Sequence, residues 1–232
     1  MEKLKTFFAS NFFRRAKKVF LILIAIYFVL AFVRAFDMIR EDKTKAIVEK
    51  IHNTKLTMAD VTGDNLPPDP GDEADKTVEG IDANENGIRD DVELAIFREY
   101  PDSAKTRAVL LQYALALQMQ FNQEIVNQET VIAVTQEGDR AYLCIGEIFE
   151  RNDENEEIME EYFIDSDLLR SFVEEAQVNT LERENKEKDF FKKIGSYNSL
   201  EHYCDIDYSK LSNYSKNVFY KKENIFYNIT LY

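Results

Sequence analysis

Residues 104–127 read AKTRAVLLQYALALQMQFNQEIVN, and this stretch decides the fold. Ala108, Leu111, Leu115 and Met119 recur at helical spacing, and Leu110, Leu117, Phe121 and Ile125 fill a neighbouring face. Two adjacent apolar faces make a stripe too broad for a surface helix, so the segment is expected as the central helix of a core. Pro101 stops whatever precedes it, and Asp102-Ser103 supplies an N-cap.

Working outward from this helix, the other signals are also mostly helical. Ser166-Asp167 opens a helix to about residue 178. Asn179 and Glu182 form a capping-box pattern before a helix over 180–194, with Lys192, Lys193 and Gly195 as its stop. Residues 130–135 (TVIAVT) are rich in β-branched side chains, and Glu137-Gly138-Asp139 could turn them into a hairpin with 141–149. A continued helix is the alternative, and the helical surroundings favour it. Residues 150–161 (ERNDENEEIMEE) read as a solvated acidic loop or helix face, since no glycine is present to bend them around a cation. Beyond residue 204 only Phe219, Ile225 and Phe226 are strong burial candidates. Asn213-Tyr-Ser and Asn228-Ile-Thr match the glycosylation pattern, which matters only in a eukaryotic secretory protein. The expected fold class is therefore mainly α, a helical-bundle-like domain.

Residues 19–33 (VFLILIAIYFVLAFV) contain no charge and no helix breaker, and Arg34, Ala35 and Phe36 can extend them with the Arg head snorkelling. That length is near the lower limit for a spanning helix. Lys3, Lys5, Arg14, Arg15, Lys17 and Lys18 precede it against Glu2 alone, a balance of about +5. The positive-inside tendency places this end in the cytoplasm and the remainder across the cytoplasmic membrane. Cleavage after Ala35 to give a secreted protein is the rival topology. The organisation that follows is a basic segment 1–18, an anchor 19–36, a stalk and Pro-rich linker 37–71, and a folded domain 72–232. The proline run Pro67-Pro68-Asp69-Pro70-Gly71 sets the last boundary.

The net charge of −14 becomes about −20 once the N-terminal +5 and Arg34 are set aside. Such a surface repels phosphate backbones and excludes nucleic acid as a natural partner. Cys144 and Cys204 are the only cysteines. Both lie on the translocated side, where one disulfide is expected to close a loop of about 60 residues, with two buried free thiols as the alternative. They make no zinc site, because there is no Cys-x-x-Cys pair and His52 and His202 are far apart.

The clearest chemical motif is residues 82–93, DANENGIRDDVE, which satisfies every position of D-x-[DN]-x-[DN]-G-x5-E. Calcium takes six to eight hard oxygens in flexible geometry. Asp82, Asn84 and Asn86 offer side-chain oxygens at positions 1, 3 and 5, and Gly87 permits the sharp turn. Ile88 offers its carbonyl, Asp90 a direct or water-mediated contact, and Glu93 a bidentate carboxylate. A short helix over 72–80 should enter the loop and one over 91–100 should leave it. The bland alternative is that these residues only make turns and cap the exiting helix.

The loop resembles that of an EF-hand, but Arg89 replaces the aliphatic residue that pairs with a second loop, and no second loop exists. It is therefore more similar to the single calcium loops of dockerin and thrombospondin type 3 repeats, which implies a structural ion with Kd on the order of 10⁻⁴ M. The wider run over residues 66–120, LPPDPG then GIDANENGIRDDVE then EYPDSAKTRA, resembles a group of uncharacterised bacterial envelope proteins. That resemblance implies export and no activity. No nucleophile motif, phosphate loop or dinucleotide fingerprint is present, so there is no basis for naming a catalytic residue. The expected role is a membrane-anchored extracytoplasmic calcium-binding protein, structural or adaptor, with an envelope protein as partner. A calcium-stabilised envelope hydrolase is the alternative.

Overall fold

The apolar N-terminal run forms one continuous helix, α1 (Asn11–Asn53), in a computed structural model that describes residues 11–207 and Leu211. The burial candidates Phe219, Ile225 and Phe226 and the glycosylation patterns at Asn213 and Asn228 lie outside the described residues. Two compact units divide at Ile47, the first being Met1–Ile47 and the second Val48–Tyr232. In the first, α1 is long and apolar enough to cross a membrane, with a mean hydropathy of 2.7 in its most apolar window. Its large side chains, including Phe20, Phe28 and Phe32, are exposed. At 1.5 Å per residue the helix extends about 65 Å, roughly twice the thickness of a hydrocarbon layer. Only its apolar half can therefore lie in lipid.

The second unit begins well before the proline run. Ile51, Leu56, Val61 and Pro67 are all buried, so residues 48–71, expected as stalk and linker, belong to the folded body. A short helix α2 (Met58–Thr62) accounts for part of this. Thr57 caps it while Asp60 returns the bond to the Thr57 backbone, a reciprocal capping box.

The remaining helices are α3 (Asp90–Glu99), α4 (Ala104–Asn122), α5 (Gln128–Gly146), α6 (Glu156–Gln177) and α7 (Leu181–Phe191). The described residues contain no strand, so residues 130–135 are helical and not half of a hairpin. Helix α4 is the hub, packing against α2, α3, α5, α6 and α7. It is buried nearly all round, as the breadth of its apolar stripe predicts. Arg107, Gln112 and Gln118 inside it hold the loops that wrap it. Arg107 donates to the carbonyls of Val61, Tyr100 and Pro101 at 3.1, 2.8 and 2.6 Å. Gln112 donates to the Tyr203 carbonyl at 2.6 Å and accepts from Asp205 N–H at 2.8 Å. Gln118 donates to the Glu79 carbonyl at 2.7 Å. A buried amide or guanidinium is tolerated only with such partners, and here each one fixes a loop to the hub.

Four boundaries differ from expectation. The helix expected to open at Ser166-Asp167 begins ten residues earlier, as α6 from Glu156, because Asn155 caps it by accepting Glu157 N–H at 3.1 Å. Helix α4 stops at Asn122 because Asn127, expected at its end, instead caps α5 by accepting Thr130 N–H at 3.2 Å. Helix α7 is capped by Thr180, not Asn179, whose side chain is engaged with Asp75 and Arg183. Residues 72–80 form no α-helix. Only a 3-10 turn spans Gly71–Asp75. The Arg183 guanidinium explains this, since it takes the carbonyls of Ala74, Thr77 and Val78 that a continuing helix would use internally.

Cys144 on α5 and Cys204 are joined, with S–S 2.08 Å, Cα–Cα 5.1 Å and a sequence separation of 60. The segment around Cys204 is also held by Arg140, which donates to the His202 and Tyr203 carbonyls and to Asp205. Buried Glu137 completes the cluster by accepting from Arg140 at 3.0 Å and Lys55 at 2.7 Å, with His52 Nδ1 at 2.8 Å. His52, partly exposed, thus joins a cluster around buried Glu137. Burial alone would raise the Glu137 pKa, but hydrogen bonds from Lys55 and His52 bring it below its usual value. Closing a loop of this length is worth about 4 kcal/mol in the chain-entropy treatment. Cys204→Ser is expected to lower the stability of the domain by about that amount in urea melts, with reductant producing the same loss in the native chain.

Candidate metal centre

Asp82 to Glu93 fold as a tight loop running into the first turn of α3. Two backbone features shape it. Gly87 has φ +88°, and an added Cβ would lie 2.7 Å from Leu115 Cδ1 as well as being strained, so both conformation and the hub helix require glycine there. The loop closes through Asp90 N–H donating to the Ile81 carbonyl at 2.9 Å.

The side chains then organise the loop from inside. Asp82 accepts Asn86 N–H at 3.1 Å and Gly87 N–H at 2.9 Å, one on each carboxylate oxygen. Asn86 Oδ1 accepts Ile88 N–H at 2.8 Å, and Asp90 accepts Ala83 N–H at 3.0 and 3.1 Å. Asn84 and Asn86 both donate their amides to Glu93 Oε2 at 3.0 Å. The other oxygen, Glu93 Oε1, is buried and has no hydrogen-bond partner among the described residues. Ile88 and Glu93 are fully buried. Asn84, Asn86 and Glu93 are thus in direct contact, while Asp82 and Asp90 sit on backbone donors of the same loop. Among the described residues no group of three or more His, Cys, Asp or Glu side chains is gathered closely enough to hold a metal. Hydrogen bonds keep the three carboxylates on separate donors, and the residues between them are amides.

All three acids are destabilised as anions. Burial raises the pKa of Asp82 and of Asp90, against partial relief from backbone N–H groups. Burial likewise pushes Glu93 up to about 7, with Asn84 and Asn86 offsetting it and the charges of Asp60 and Asp90 adding to it. A buried carboxylate with one satisfied oxygen, next to further acids, is a site of unmet negative charge.

Residues outside the motif complete the surroundings. The Asn65 carbonyl accepts the Asn84 amide at 2.6 Å, and Asn65 in turn reaches Asp60 at 3.4 Å. Neither Asp60 nor Asn65 stood out in the sequence, because both lie before the proline run. Arg89, which departs from the EF-hand pattern, is fully buried. It pairs with Asp91 at 2.6 and 2.9 Å and donates to the Gln177 and Ala176 carbonyls at 3.0 and 2.6 Å. A cation on the last carbonyls of α6 complements the helix dipole. Gly80 gives the Arg89 stem its path, since a Cβ there would lie 2.4 Å from Arg89 Cδ. Arg183 mirrors the arrangement by pairing with Asp75 and the carbonyls before the loop. No known protein family, curated protein or solved structure matches this chain.

The raised Glu93 pKa has a defined sign for stability. The unfolded carboxyl loses its proton near pH 4.5 and the folded one near 7, so the unfolded state binds fewer protons between these values. With divalent cations chelated, the Glu93 contribution is fully present below pH 4.5 and falls by on the order of 3 kcal/mol by pH 7. The stability difference between the native chain and Glu93→Gln, followed by urea melts across this range, should decline with pH by that amount. Near neutral pH Arg89→Leu should cost on the order of 3 kcal/mol, since it leaves Asp91 and two helix-end carbonyls without their donor.

Proposed function

We propose that this chain is a membrane-anchored, extracytoplasmic calcium-binding protein in which the ion acts as a structural staple. The observation that carries the reading is the buried Oε1 of Glu93, which has no hydrogen-bond partner among the described residues, inside a loop whose ligand positions match the calcium pattern. Asp82, Asn84, Asn86, the Ile88 carbonyl, Asp90 and Glu93 would hold the ion. These are hard oxygen donors with three formal charges, a set suited to calcium in preference to softer metals. When bound, calcium supplies positive charge that offsets the desolvated acids and ties the segment before α3 to α3 itself.

The topology follows from the basic N-terminal cluster, which favours a cytoplasmic N-terminus with the domain on the far side of the cytoplasmic membrane. A disulfide in the domain fits an oxidising compartment. An adaptor role towards another envelope protein is supported by Phe163, Ile164 and Leu168, large apolar residues exposed on α6.

Calcium titration of the full chain in nonionic detergent tests the ion. Thermal melting should shift upward with a half-effect at about 10⁻⁴ M, and a hundredfold excess over Kd should add about 2.7 kcal/mol. Calorimetry near pH 6 should show release of about one proton per ion, because the ligand carboxylates bind deprotonated. Glu93→Gln should weaken binding at least tenfold. An unchanged melt and no binding heat at millimolar calcium would contradict the proposal.

A further inference from the structure

Helix α6 buries Ser166, Leu169 and Val173 against the body, yet Phe163, Ile164 and Leu168 are each at least half exposed. Ile164 and Leu168 lie one turn apart on the side of the helix opposite Leu169 and Val173, with Phe163 on its flank. Single apolar side chains on a surface need no explanation, but three within two turns mark a contact surface.

The border of this patch has one sign of charge. Glu157, Glu160, Glu161 and Glu175 are exposed on the same helix, and none has an ion-pair partner among the described residues. Arg170 is the only cation on α6, and it is paired with Asp167 at 2.7 Å. A second copy of α6 laid on this face would set carboxylate against carboxylate, so a self-association through it is disfavoured. The occupant that suits it is an apolar segment carrying lysines.

The chain holds such a segment. Residues 212–232 carry Lys216, Lys221 and Lys222 against Glu223, interleaved with Phe219, Ile225 and Phe226. Its point of departure is moored near α6. Cys204 is joined to Cys144, and Gly146, two residues further along α5, sits so close to α6 that an added Cβ would lie 2.2 Å from Tyr162 Oη. Backbone and side-chain dimensions then put Cys204 within about 25 Å of Tyr162. Leu211 is itself buried, and the chain from there to Phe226 extends up to about 50 Å, which is enough to bring Phe226 onto α6.

We infer that residues 212–232 dock on the exposed face of α6 of the same chain, with Phe219, Ile225 and Phe226 on the Phe163, Ile164 and Leu168 patch and the three lysines against Glu157, Glu160 and Glu161. Docking of this kind needs neither calcium nor a second protein. An envelope partner that used the same face would have to displace the segment.

Zero-length carbodiimide cross-linking of the full chain in nonionic detergent with chelator, mapped by peptide mass spectrometry on the monomer band, tests the docking. Lys216, Lys221 or Lys222 should form amides with Glu157, Glu160 or Glu161, and the yield should fall at least about fivefold in about 1 M salt, where charges are screened within about 3 Å. The double variant Ile164→Ser, Leu168→Ser keeps every carboxylate and should keep the native helical circular dichroism, yet lose at least about fivefold of the same links. Undiminished links in that variant overturn the inference, as do links found only in a dimer band. Lysines of 212–232 that join no α6 carboxylate in the native chain, the result expected if the segment lies in the micelle or elsewhere on the body, overturn it too.

Discussion

A guanidinium with no access to water must find acceptors for its donors inside the protein, and Arg89 is fully buried. It grips Asp91 at the start of α3 and the terminal carbonyls of α6 together. That requirement fixes the calcium-type loop against the α6–α7 corner. Arg183, equally buried, fixes the segment leading into the loop from the other side through Asp75 and the carbonyls of residues 74, 77 and 78. Breaking either clamp would leave buried charge uncompensated, which costs more than the pair contributes when intact.

Inside this frame the loop is left electrostatically incomplete. Asp82, Asp90 and Glu93 are each harder to ionise than in water, and burial is the leading cause for all three. The cost of ionisation is largest at Glu93, one of whose oxygens is buried without a hydrogen-bond partner among the described residues. The two arginines do not relieve it, since their donors are already committed to Asp91, Asp75 and backbone carbonyls. Protonation of Glu93 offsets it below about pH 7, and under the proposed function a divalent cation would do so at higher pH.

The helical architecture was readable where periodicity and capping agree. Ser103 followed by the apolar stripe of α4 predicted the hub, and the structure buries that helix nearly all round. The disulfide was expected from two cysteines and a topology read as exported, with free thiols as the alternative, and Cys144 and Cys204 are joined. What escaped reading depends on partners distant in sequence. The segment 72–80 has a helical composition, but Arg183, more than 100 residues later, claims its carbonyls. Residues 48–71 look like a stalk with a proline linker, and only the long-range packing of Ile51, Leu56 and Val61 reveals them as core. Arg89 was visible only as a departure from a motif, because its role is set by carbonyls at 176 and 177. Asn65 was likewise hidden, since a backbone carbonyl carries no sequence signature.

The central claim is that the loop is mechanically tied to the α6–α7 corner, so that an ion bound at Glu93 is felt beyond the loop itself. Hydrogen exchange of the full chain, with calcium and with chelator, tests this directly. Calcium is predicted to slow exchange both at residues 83–93 and at residues 176–184, with the second effect lost in Arg89→Leu while the first persists. Protection confined to residues 83–93 in the native chain would contradict the account, as would a calcium response at neither segment.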